Sequence, residues 1–223
     1  MSSNTSRKGI IAWLRRFFHP RHSFRLPDRI LPHIKIRPLR ETDVENCLEI
    51  YRLNEPERFP EGYIDCFHLC LSKPEYLFLV AENDAGLCGF GGILFYEKAT
   101  QCLACLAFGM VHPAHQGKGI GTALILSRLA ILPEPSPKWW ITLSPVPKSK
   151  TFYENFGFEF VGFFVDPFDQ YRAESFAVQL TANHWKECRE MLARAKIKLN
   201  LEHLVSPKAL VSMGRKLCDL DFH

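Results

Sequence analysis

The hexapeptide Gln116-Gly117-Lys118-Gly119-Ile120-Gly121 constrains this chain more than any other stretch. It lies between an apolar run at 103–111 and a segment at 122–132 whose spacing predicts a helix. A glycine-rich turn that leaves a strand and opens a helix commits the chain to a strand–helix crossover. It is also built to hold an anion. Its backbone N–H groups are uncovered by side chains, and the helix N-terminus adds partial positive charge. Glycine admits a ligand to the backbone without a Cβ in the way, and Lys118 adds a charge.

Spacing selects among phosphate ligands. A nucleoside-triphosphate loop needs G-x-x-x-x-G-K-[ST]. Here Gly117-Lys118 is followed by Gly119, and His112 stands where the first glycine belongs. The dinucleotide fingerprint G-x-G-x-x-G fails at its last position, Thr122. The pattern present is Q-x-x-G-x-G after a strand that ends Val111-His112-Pro113.

At 223 residues and 47% hydrophobic content, the chain can form one ordinary domain with extensions. No apolar run is long enough to cross a bilayer as a helix. Cys66/Cys70 and Cys102/Cys105 lack histidines at zinc-finger spacing, which argues against a metal site. Most of the eight cysteines lie in apolar runs and read as small core residues in a reducing compartment. Residues 1–27 hold six Lys/Arg and no acid, while the remainder carries 22 Lys/Arg against 24 Asp/Glu. The net +4 therefore belongs to an N-terminal arm, and no general nucleic-acid-binding surface is implied.

Within that arm, residues 7–18 read as an amphipathic helix. Ile10, Ile11, Trp13, Leu14, Phe17 and Phe18 fall within about 160° of one another, with Lys8, Arg15 and Arg16 off that arc. Such a segment suits peripheral membrane contact or mitochondrial targeting; the alternative is a helix that packs on its own domain. The expected location is cytoplasmic, with the membrane surface and mitochondria as alternatives.

From residue 33 the pattern alternates strands and helices. Strands are predicted at 33–39, 76–82, 87–96, 103–111, 139–143, 158–165 and 174–180. A capping box, Thr42-Asp43-Val44-Glu45, opens a helix, and 63–71 and 149–156 read as further helices, the last stopped by Gly157. The expected fold is α/β (an α+β mixed sheet), with helices on both faces. Three segments are predicted: an arm at 1–32, a domain at 33–181 and a helical extension at 182–223. In the extension, Asn183 is a candidate cap, and Trp185, Cys188, Leu192, Ala195 and Leu199 form a stripe that docks on the domain or on a second subunit of a homodimer. A short helix is expected at 207–213.

The Q-x-x-G-x-G loop after Val-x-Pro resembles the acetyl-CoA pyrophosphate loop of the GNAT N-acetyltransferase superfamily. Ile36-Arg37-Pro38-Leu39 with Asp43 is similar to the opening of many GNAT domains. Phe152-Tyr153-Glu154-Asn155-Phe156-Gly157-Phe158 is similar to the family's late F-Y-x-x-x-G-F segment. The resemblance covers about 34–180. It implies acetyl-CoA as co-substrate, held by Gln116, Gly117, Lys118, Gly119, Ile120, Gly121 and Thr122 and by backbone groups of Met110 and Val111 on a bulged strand. It implies Tyr153 as the acid that protonates the departing thiolate, since a phenol near pKa 10 matches a thiolate of 8–9.

The implied activity is acetyl (acyl) transfer to a primary amine of a small molecule or protein. The alternative is a non-catalytic acyl-CoA-binding module of the same fold. That reading draws on Ser144-Pro145-Val146-Pro147, where many family members use an asparagine on pantetheine and where two prolines remove N–H donors. No base stands out, because 103–111 contains no Asp, Glu or His, and Cys105 occupies about the place of the family's glutamate. Glu82, Glu97 and His112 are weak candidates. Glu55, Glu57, Glu61, Asp65, Asp166 and Asp169 outnumber Arg52, Arg58 and Arg172 around the expected acceptor entrance, which favours a cationic acceptor.

Overall fold

The computed structural model describes residues 23–28, 31–54, 63–73, 76–98, 101–135, 138–165, 172–197 and 199. The predicted helices at 7–18 and 207–213 lie outside these. The strands are β1 (Lys35–Pro38), β2 (Leu77–Asn83), β3 (Gly86–Lys98), β4 (Gln101–Val111), β5 (Lys138–Leu143), β6 (Glu159–Val165) and β7 (Arg172–Thr181). They form one sheet in the order β1-β2-β3-β4-β5-β7-β6. All neighbours are antiparallel except β4 and β5, which run parallel because a helix separates them in sequence.

That crossover helix is α3 (Ile120–Ala130). The others are α1 (Val44–Asn54), α2 (Tyr63–Ser72), α4 (Lys150–Glu154) and α5 (Ala182–Arg194). Burial of both sheet faces is written into β2: Leu77, Leu79 and Ala81 join the cluster under α3 and α5, while Phe78 and Val80 join the one under α1 and α2. No helix among the described residues is long and apolar enough to cross a membrane.

The opening of α1 differs from the expected capping box. A 3-10 turn, Glu41–Asp43, precedes it, and Asp43 accepts a hydrogen bond from Arg40 N at 2.7 Å. Asp43 also takes the Arg37 fork, at 2.6 Å from Nη1 and 3.0 Å from Nη2. A buried arginine needs that carboxylate more than the helix does.

The arm boundary is corrected. Phe24 and Leu31 belong to the core, Phe24 N donates to Gln179 O at 3.0 Å, and Arg25 N donates to Phe156 O at 2.9 Å. Strand β6 pairs with β7 only as far as Ala177, so Gln179 has an open edge on that side, which Ser23 meets. The C-terminal stripe docks on the chain's own domain. Trp185, Cys188, Leu192, Ala195 and Leu199 all lie in or against the main core. The cap of α5 is Thr181 rather than Asn183, and Arg189 donates to Ala130 O at 3.1 Å, satisfying a carbonyl at the end of α3.

Candidate active site

Two departures from regular pairing open a gap in the sheet. On the β3 side of β4, the register passes from Phe90↔Met110 to Gly92↔Ala107, so Phe108 and Gly109 together face Gly91. This is a β-bulge, and Phe108 sits at φ +46°, a left-handed backbone costly for a phenylalanine. On the other side, pairing with β5 ends at Cys105↔Thr142. Beyond it β5 leans on β7 alone, through Leu143↔Phe176, and residues 106–111 of β4 run on without a neighbouring strand there. The strand the sequence singled out therefore carries an unpaired edge beside the glycine loop.

The loop itself turns through two left-handed glycines, Gly117 at φ +75° and Gly119 at φ +84°, the second serving as N-cap of α3. No described residue accepts from the N–H groups of Gly117, Lys118 or Gly119. Those of Ile120, Gly121 and Thr122 belong to the helix's first turn, which has no intrahelical acceptors. The side chains of these residues do other work. Ile120 and Thr122 are buried, and a Cβ on Gly121 would lie 3.3 Å from Phe152 Cζ, so the missing methyl lets α4 approach α3. Lys118 folds its ammonium back onto Ala114 O at 2.9 Å.

Gln116 is a brace in this structure. Its Nε2 donates to Val111 O at 3.1 Å and to Asn54 Oδ1 at 3.0 Å, and Asn54 Nδ2 also donates to Val111 O at 3.2 Å. The Val111 carbonyl is thus already engaged, whereas the sequence offered it as a pantetheine partner. Met110 keeps its side chain in the core under α1 and α2.

Tyr153, on α4, reaches the bulge. A Cβ built on Gly109 would lie 3.4 Å from its hydroxyl and 3.2 Å from Nη2 of Arg128. The guanidinium stands beside the phenol at the bulge. Burial raises the Tyr153 pKa above 10 and Arg128 opposes that rise, so the hydroxyl holds its proton through the neutral range. Arg128 was not anticipated from the sequence. It is buried on α3, and Gly91 and Gly109 give it room: a Cβ on Gly91 would stand 2.8 Å from its Cζ. Cys105 also faces this cation, with its thiol pKa raised by burial.

The weak base candidates are accounted for. Glu82 is bound by Lys35 at 2.9 Å and Arg37 at 2.8 Å, which outweigh its burial and hold its carboxyl below the usual range. Glu97 pairs in register with Cys102, at the opposite end of β3 from the loop. His112 is tied into its turn, Nδ1 accepting from Ala114 N at 3.2 Å. Among the described residues, no cluster could hold a metal ion.

An acetyltransferase (GNAT) domain model matches residues 74–160. The solved structures that resemble the chain include a GNAT-family protein from Desulfovibrio desulfuricans, at 18% identity and TM-score 0.50, over 67% of this chain and 99% of that one. The ribosomal-protein-S18-alanine N-acetyltransferase of Escherichia coli matches at 18% identity and TM-score 0.48, over 66% and 94%. A spermidine N-acetyltransferase variant from Vibrio cholerae matches at 17% and 0.48, over 69% and 96%. No curated protein matches in sequence. At 18% identity and TM-score 0.50, the Desulfovibrio match speaks for the fold alone.

Proposed function

We propose that this chain, whose residues 74–160 match an acetyltransferase (GNAT) domain model, is a GNAT-type enzyme that transfers an acetyl group from acetyl-CoA to a primary amine. One observation carries this reading: the free N–H groups of the glycine loop, the unpaired edge of β4 and the Tyr153 hydroxyl border one gap. The first turn of α3 offers N–H groups and dipole to a pyrophosphate. The open edge of β4 offers backbone donors to a thioester carbonyl as it becomes an oxyanion.

In the proposed step the amine nitrogen bonds to the carbonyl carbon and the carbon–sulfur bond breaks. Tyr153 passes its proton to the sulfur, and the proton shed by the new amide goes to solvent. An amine of moderate pKa reaches the site neutral without a dedicated base, which fits a β4 that carries no carboxylate.

The test is a panel of amines assayed with acetyl-CoA, cationic amines first. Of the acidic rim proposed for the acceptor, Asp65 is exposed at the start of α2, while Glu55, Glu57, Glu61, Asp166 and Asp169 lie outside the described residues. Tyr153→Phe should lower turnover by about one to three orders of magnitude, while CoA affinity falls by no more than the roughly 3- to 10-fold of one hydrogen bond. Unchanged turnover would remove Tyr153 from the mechanism. A binding module without transfer is the second reading, favoured by Pro145 and Pro147, which follow β5 and carry no N–H donor. Good CoA binding with only slow thioester hydrolysis across the panel would select it.

A further inference from the structure

Arg128 is an unusual resident of a helix as apolar as α3, Ile-Gly-Thr-Ala-Leu-Ile-Leu-Ser-Arg-Leu-Ala. An arginine stays charged when buried, so its N–H groups must find acceptors. Nε donates to Leu124 O at 3.1 Å, Nη1 to Gly92 O at 3.0 Å, and a longer contact of 3.5 Å reaches Ala107 O. Among the described residues no carboxylate pairs with it. Its titratable neighbours are Tyr153, whose hydroxyl borders Gly109 as Nη2 does, and Cys105.

The surroundings are shaped for this side chain. Gly91 and Gly109 flank the guanidinium on the two strands of the bulge, and a methyl at either position would crowd it. Full carbonyl ligation on one side fixes its plane and leaves Nη2 toward Gly109 and Tyr153. A core cation without a counter-ion is costly in a merely structural role. It becomes useful where a neighbour turns negative.

We infer that Arg128 is a positioning residue for Tyr153, holding the phenol hydroxyl at the gap and offsetting the charge its oxygen acquires on giving its proton to the leaving sulfur. The O–H bond breaks, the S–H bond forms, and the phenolate is left beside a guanidinium until solvent returns a proton. This inference rests on the acetyl-CoA reading above.

Calorimetric titration of the full chain with CoA and with desulfo-CoA, which lacks only the thiol, isolates the sulfur contact. Wild type should prefer CoA. Arg128→Gln should cost CoA about 3- to 10-fold in affinity, the range of one hydrogen bond, and leave desulfo-CoA within about twofold. Arg128→Lys should recover most of the preference. The double variant R128Q/Y153F should be no weaker than Y153F alone, because Arg128 acts through Tyr153. If R128Q does not fold, Gly91→Ala displaces the guanidinium without removing it and should show the same selective loss. Equal weakening of both ligands, no weakening, or additivity in the double variant would overturn the inference and leave the acetyl-CoA reading standing. Failure of wild type to bind either ligand would remove that reading, and this one with it.

Discussion

Arg37 on β1 and Arg128 on α3 are both buried guanidiniums, yet they keep different company. Arg37 forks onto Asp43 and donates Nε to Glu82 at 2.8 Å, so one cation meets two carboxylates at the β1–β2 edge. Arg128 meets backbone carbonyls and a phenol at the β3–β4 bulge. The first arrangement is closed: every charge has its opposite, and it fastens β1 and β2 to the turn that opens α1. The second is open, and it stands where the sheet parts. Compensation marks a buried ion as architecture, and its absence beside a gap marks a place where charge is to appear.

The sharpest way to break this contrast is to remove one partner of each. Asp43→Ala should cost about 3–5 kcal/mol, the usual penalty for breaking a buried pair, read as a lowered urea midpoint. Arg128→Gln leaves no carboxylate stranded and should cost about 1–2 kcal/mol, a few lost hydrogen bonds. Equal losses would erase the distinction.

The N-terminal segment sharpens it next. Removing residues 1–27 rather than 1–22 also takes Phe24 out of the core and should cost about 3 kcal/mol or more beyond the shorter truncation. The sequence-based boundary put the arm at 1–32, outside the domain, and equal stability of the two truncations would restore that boundary. Gly157→Ala should cost about 1–3 kcal/mol, because the residue sits at φ +83° and its Cβ would lie 2.3 Å from Ser23 O. CoA affinity of the folded fraction should not change.

The smallest effect is in acid. Burial raises the Asp43 carboxyl, but the bonds from Arg37 and Arg40 N outweigh that and hold it below its ordinary 3.8. A depressed carboxylate contributes stability that is full above the ordinary value and fades as pH falls through the lower folded one. Asp43→Asn should therefore flatten the loss of stability below pH 3.8. An unchanged slope would show that the pair does not set it.

Much of this was legible in the chain because its signals are local. The glycine loop and the helix stop at Gly157 each depend on a few consecutive residues. The bulge at Phe108 was not, since it arises from the register of β4 against β3, a property of two strands. Arg128 escaped because one cation in an apolar helix reads as a solvated face. Gly91-Gly92 and Gly109 were the trace it left, as room made for a large side chain. Phe24 was hidden by the basic arm that precedes it, although its neighbours Leu26 and Leu31 continue an apolar pattern.

The central claim is that the loop at 116–122 and the parted β4 edge form a CoA site. Calorimetric titration of the full chain with CoA tests it, beside Gly119→Asp. Aspartate tolerates a left-handed backbone better than most residues, so that variant should fold and differ by its charge at the pyrophosphate position. The account predicts one CoA bound per chain in wild type and none in Gly119→Asp. Tight binding of NAD or ATP with none of CoA would contradict it.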